Sequence, residues 1–351
     1  MTDTATTHTD IDGRPVVLTY SSLAAEYEAL RARAVIIDHS HRGRVRLTGD
    51  RAIEMLNGLV TNDVAAIEPG HGCYAAALTP KGKIVADLRI FREADGLLVD
   101  APVRAAAGWL GVVRKYINPR IAPYRDEAPS MRSFGVYGKL AHHVVAALTG
   151  GSPTAFGTLP HYAHVTASIG DGRALVARVP DAGVEGFVVF VMTEQFDAAW
   201  ELATRAHATP AGFATWEVAR VEAGYPEWGV DIDDSTIPQE ANFDELHAIS
   251  YTKGCYTGQE VVARVHFRGH VNRHLRGVTR PGGEEAAPTG AQLLDGAGKI
   301  VGDVRSAVRS PRLGGIGLAM VRREVSPGSA LQARWEGGEA EVILQPLPFQ
   351  G

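Results

Sequence analysis

Two stretches of this chain, near 44–118 and 132–206, carry the same order of pattern: strand, helix, three strands, helix. The first runs from VRLTG through RAIEMLNGLV, GCYAAALT, KIVADLRIF and GLLVDA to VRAAAGWLGVVRKYI. The second runs from SFGVYG through KLAHHVVAALT, HYAHVTAS, RALVARVP and EGFVVFVM to TEQFDAAWELATRA. Strands mixed with helices in this way, without strict βαβ alternation, predict an α+β region built from two similar subdomains. The tetrapeptide Pro80-Lys81-Gly82-Lys83 has the turn chemistry of a hairpin between two strands.

Beyond about residue 272 the helical period vanishes. LRGVTRP, AQLLD, KIVGDVRSAV, GGIGLAMVR, ALQARW and AEVILQPL are short apolar runs split by Gly and Pro. That spacing predicts a small antiparallel β-barrel or sandwich at 272–351. A helix is expected over 21–34 with Ser21 or Ser22 as cap, and another over about 213–225. The polar segment 1–19 has little to bury and is expected to be flexible. The question of what the chain does therefore falls on 20–271.

Composition excludes more than it assigns. A net charge of −5 gives no global field for nucleic acid or an anionic membrane. The N-terminus lacks the basic and apolar regions of a secretory signal, and no run of 18 apolar residues occurs, so a cytoplasmic protein is the expectation. Two cysteines, Cys73 and Cys255, belong to no C-x-x-C pair and fit a reducing compartment. They cannot alone ligate an iron–sulfur cluster. The histidines show no metal-ligand spacing, so no metal site is expected.

Cys73 sits in an apolar strand and reads as core. Cys255 has a different setting, TKGCYTGQEVVARVHFRGH. Thr257-Gly258-Gln259-Glu260 fits a capping box, which would set Cys255 just ahead of a helix N-terminus. With Lys253 two residues upstream, both effects would favour the thiolate. Arg264, His266, Arg268 and His270 form a basic edge, in helix or strand, suited to a carboxylate or phosphate.

Lys253-Gly254-Cys255-Tyr256-Thr257-Gly258-Gln259-Glu260 resembles the signature of the YgfZ-type folate-binding proteins, relatives of the glycine-cleavage T-protein. Val60-Thr61-Asn62-Asp63-Val64, Lys81-Gly82-Lys83 and Arg220 to Pro226 support the resemblance. It implies two similar α+β subdomains and a C-terminal barrel around a central cavity for tetrahydrofolate or a folate derivative. It also implies support for the assembly or repair of iron–sulfur clusters in client enzymes, among them enzymes that modify tRNA, with no direct contact to nucleic acid. Client enzymes or cluster-assembly proteins would be the partners, and Cys255 the functional thiol.

Glu222 matches a position that contacts the pterin, where a carboxylate can accept two parallel hydrogen bonds. Tyr74, Tyr116 and Trp228 are candidates for ring stacking; Tyr256 and Gln259 lie inside the signature, and Arg264 and Arg268 suit an anionic folate tail. The T-protein has an Asp-Asp pair where this chain has Ala86-Asp87, so only Asp87 remains. Val184 likewise stands where the T-protein has a carboxylate, beside Glu185. Three readings follow: iron–sulfur support through Cys255, folate-dependent aminomethyl transfer or demethylation, and a non-catalytic folate-binding adaptor. Ala86 weighs against the second.

Overall fold

The computed structural model describes residues 6–283 and 285–350. They form two compact units. The first comprises Met1–Ala77, Val85–Trp216 and Ala248–Thr257; the second comprises Leu78–Ile84, Glu217–His247 and Gly258–Gly351.

In the first unit the two patterned stretches become two sheets with one strand order. The first sheet runs His71–Leu78, Ile84–Arg92, Gly96–Ala101, Gly43–Thr48, then the short edge strand Tyr124–Asp126. The second runs His164–Ile169, Gly172–Arg178, Gly186–Met192, Met131–Tyr137, then Val35–Asp38 and Thr209–Pro210. In both, the strand that opens the stretch lies beside the strand that closes it. Val35–Asp38 comes from ahead of the first stretch yet pairs antiparallel with Met131–Tyr137 of the second. Helices Ala141–Thr149 and Phe196–Arg205 pack on the second sheet, where Val144, Val145, Phe196, Ala199 and Ala203 meet Phe134, Val136, Val176 and Phe187. Each fully buried Val or Phe contributes about 1.5–3 kcal/mol of transfer free energy.

The second unit holds a closed six-stranded barrel in the order Arg273–Thr279, Gly314–Arg322, Ile300–Ser310, Gln292–Leu294, Ala330–Trp335, Gly338–Gln345. Alternate residues such as Val301, Leu293, Val342 and Leu344 fill its core. The predicted short strands and their Gly/Pro turns are therefore the strands of a barrel. No helix among the described residues is long and apolar enough to cross a membrane.

Residues 7–19, expected to be flexible, instead form a hairpin, Thr7–Ile11 with Arg14–Thr19. Asp12 and Gly13 both take positive φ at its turn, the conformation a two-residue hairpin loop needs.

Helix Leu23–Ala32 is capped by Ser22, whose hydroxyl accepts from the backbone of Ala25. The fully buried Glu26 on that helix accepts from the Tyr20 and Ser21 amides at 2.7 Å, and from the Gly212 amide and Thr215 hydroxyl at 2.8 Å. One carboxylate thus joins the chain ahead of the helix to a segment nearly two hundred residues on. Glu26→Ala leaves four donors without their acceptor and is expected to lower stability by about 3 kcal/mol in denaturant unfolding.

Candidate functional site

Strand Ile84–Arg92 presents Asp87 and Arg89 on one face, two residues apart. Asp87 is buried. Its Oδ2 accepts from the Tyr74 hydroxyl at 2.9 Å, while Oδ1, also buried, has no hydrogen-bond partner. Burial raises the Asp87 pKa above the ordinary aspartate value, and Arg42 and the Tyr74 hydrogen bond only partly oppose it. The Tyr74 ring lies nearly parallel to Tyr162, centroids 6.4 Å apart. Tyr74 and Asp87, which the sequence singles out separately, are therefore hydrogen-bonded to each other.

Around it stands a charged network that no local pattern announces. Asp100, fully buried, receives Arg42 Nε at 2.7 Å, with Arg89 at 3.5 Å and Arg44 at 3.8 Å. Arg89 also pairs with Asp181, whose pKa is likewise raised by burial. The one partial signal, which names the cations but not their partners, was Arg42, Arg44 and Arg46 alternating with Gly43 and Val45 at and just before strand Gly43–Thr48. On a half-buried strand such alternation either turns three cations outward or needs anions inside.

Cys255 is exposed and Cys73 is buried, both as free thiols. Burial pushes the Cys73 thiol up to about 12. Lys253 does not serve Cys255 as the sequence suggested. Its ammonium, only 7% exposed, donates to the carbonyls of Asn57, Val60 and Asn62 at 2.7, 2.9 and 2.6 Å. Burial lowers its pKa to about 8, and the charges that oppose this are those of Asp63 and Cys73. It also lies 5.1 Å from the ring centroid of the buried Tyr256. Tyr116 sits 39% exposed at the end of helix Val103–Tyr116, beneath the Lys115 ammonium. Glu185 is engaged by His142 at 2.5 Å and lies 3.7 Å from Arg178.

Glu222, Trp228, Gln259, Arg264 and Arg268 belong to the second unit. Glu222 is buried, with Oε1 accepting from Ser310 at 2.5 Å and Oε2 from Arg312 at 3.0 Å. The half-buried Trp228 donates to the Ile84 carbonyl at 3.4 Å. The basic stretch resolves as helix Gln259–Arg268, with Arg264 and Arg268 exposed and Gln259 half-buried in the first turn. The capping box does not form. Gly258 is the N-cap at φ 84°, no side chain caps the helix, and a Cβ there would meet the Thr79 carbonyl oxygen at 2.7 Å. Close backbone approach, not a threonine cap, sets this helix start.

The GCVT N-terminal domain matches residues 13–250, and the glycine cleavage T-protein C-terminal barrel domain matches residues 273–350. The aminomethyltransferase of Rubrobacter xylanophilus is 30% identical over 342 residues, spanning 97% of this chain and 89% of its own length. That of Saccharopolyspora erythraea is 29% identical over 355 residues, spanning 98% and 94%. The crystal structure of glycine cleavage system aminomethyltransferase T from Bartonella henselae superposes with a TM-score of 0.88 at 21% identity, over 98% of this chain and 94% of that one. At that identity the likeness is one of fold.

The raised pKa of Asp87 has a measurable sign. A carboxyl whose folded pKa exceeds its unfolded value (about 3.9) stabilises the fold below the unfolded pKa and loses that contribution as pH rises through the folded one. Asp87→Asn removes this charge. Its melting temperature should match or exceed that of the parent at pH 7.5, and the difference should shrink towards pH 4 in thermal melts.

Proposed function

Because the chain belongs to the glycine cleavage T-protein family, matched over both its N-terminal and barrel domains, we propose that it binds tetrahydrofolate or a one-carbon derivative and takes part in folate-dependent transfer of a one-carbon unit from an amine. The observation that carries this reading is Asp87. A buried acceptor without a partner costs about 1–3 kcal/mol and calls for an explanation, and a ring-bearing ligand with amino N–H groups supplies one. Tyr74 beside it offers both a hydroxyl and an aromatic face.

Tetrahydrofolate, when bound, supplies the nitrogens that carry a one-carbon unit. Asp87 holds a proton to higher pH than a free aspartate, so its Oδ1 can give a proton to an amine or take one from it. Tyr74 orients that carboxyl through Oδ2. Glu222 has both oxygens engaged, whereas the buried Asp87 Oδ1 has no hydrogen-bond partner, so the main contact is assigned to Asp87.

Calorimetric titration with tetrahydrofolate should show binding to the parent and at least tenfold weakening in Asp87→Ala, or ~1.4 kcal/mol. Formation of methylenetetrahydrofolate from an aminomethyl donor should then be measurable. Absence of binding to the parent sinks the folate reading, and binding without turnover removes the transfer step.

A second reading has its own support. Ala86 is fully buried and can hold no proton, while Cys255 is the exposed thiol of the YgfZ-like signature. In this reading the folate-bound protein supports iron–sulfur enzymes through Cys255. Cys255→Ser, expressed in a strain lacking the native protein, should leave iron–sulfur enzyme activity low; full restoration would count against the thiol.

A further inference from the structure

Lys253 was the residue expected to activate a thiol, and its geometry gives it another task. The loop 57–62 whose carbonyls receive its ammonium is itself bonded to strand His71–Leu78. The Asn62 side chain donates to the Tyr74 carbonyl at 2.9 Å, the Thr61 amide to the Ala76 carbonyl at 2.9 Å, and the Ala76 amide to the Thr61 hydroxyl at 2.8 Å. On its other side the loop holds the cysteine segment. The Thr257 amide donates to the Gly58 carbonyl and the Ser250 amide to the Thr61 carbonyl, each at 3.0 Å, and the Thr61 hydroxyl donates to the Ala248 carbonyl at 2.7 Å. Residues 57–62, 71–77 and 248–257 all lie in the first unit.

The strand that carries Tyr74 and the segment that carries Cys255 are therefore joined through one six-residue loop. Lys253 fixes that loop at three points with all three of its N–H donors. Asp63, at the loop's end, is the carboxylate whose charge favours its ammonium, and the buried Cys73 thiol lies nearby, next to Tyr74. Gly254 and Cys255 are exposed, and a Cβ at Gly254 would meet nothing within 4 Å. Lys253 is thus the last fixed point before the thiol.

We propose that Lys253 is a positioning residue that couples ligand occupancy at Tyr74 and Asp87 to the accessibility of the Cys255 thiol, and so regulates that thiol. The inference rests on the folate reading above. A ligand that orders Tyr74 orders the loop bonded to its strand, and the loop transmits that order to Cys255 through the ammonium. By linkage, modification of Cys255 must weaken ligand binding by the factor with which ligand protects the thiol.

The test is the rate of Cys255 alkylation by iodoacetamide, followed by peptide mass spectrometry, with and without saturating tetrahydrofolate. Cys73, buried, serves as the internal control for an intact fold. In the parent, ligand should slow alkylation about fivefold, within the usual range of coupling between sites. In Lys253→Met the slowing should fall below about twofold while Cys73 stays unreactive, and Lys253→Arg should keep part of it. A merely structural lysine would lower the melting temperature and leave the ratio of rates unchanged. If calorimetry shows binding but the parent's alkylation ignores ligand, or if Lys253→Met keeps the full effect, the coupling is overturned and the folate reading stands. If the parent binds no tetrahydrofolate, both fall.

Discussion

Asp100 and the three arginines about it hold the first unit together. Its carboxylate is fully buried, and so is Arg44, which reaches from the first sheet to the second. Arg44 donates to the Met131 carbonyl at 3.0 Å, the Ser133 hydroxyl at 2.6 Å and the His39 carbonyl at 2.8 Å. Arg89 does the same in another place, leaving strand Ile84–Arg92 to pair with Asp181, between two strands of the second sheet. Removing such charges from water costs several kcal/mol per ion, and only complete pairing offsets it. Without the second sheet Arg44 and Arg89 would lose these partners, and Asp181 would lose Arg89. The duplicated halves are therefore tied to each other through buried guanidiniums of the first.

The network also determines the surroundings of Asp87. Strand alternation puts Asp87 and Arg89 on one side and Ala86 on the other. Asp87 stands at the margin of a region where three guanidiniums face carboxylates, yet burial still raises its pKa. Desolvation outweighs Arg42 because Arg42 is already committed to Asp100 at 2.7 Å. A carboxyl whose pKa is raised although cations stand near it suits the proton transfer proposed for it.

What could be read from the sequence follows the range of the interactions. The barrel strands, the hairpin at Pro80 to Lys83 and helix Leu23–Ala32 rest on period and turn chemistry within a few residues, and those were legible. The charged network joins residues 58, 89 and 92 positions apart, which no local window contains. Lys253 was misread for a subtler reason. Two residues from Cys255 in sequence, it sends its side chain the other way, into carbonyls of a loop some 190 residues earlier. The Thr257 capping box failed because Gly258 takes a positive φ that a threonine-capped start does not use.

Position 86 bears on what the proposed chemistry can use. Ala86 is fully buried, so a carboxylate in its place would add another desolvated charge to a strand that already carries Asp87 and Arg89. Alanine relieves that burden at no loss to the sheet, whose hydrogen bonds come from the backbone. Asp87 cannot replace the missing group by turning its side chain, because it points to the opposite face and is held there by Tyr74. An amine handled by Asp87 must therefore approach from the side of Tyr74 and Arg89. The exposed Cys255 thiol follows two residues after Lys253, which is bonded to the loop that grips Tyr74's own strand. Both proposed sites thus connect to strand His71–Leu78, which makes that strand the place where ligand and thiol would sense each other.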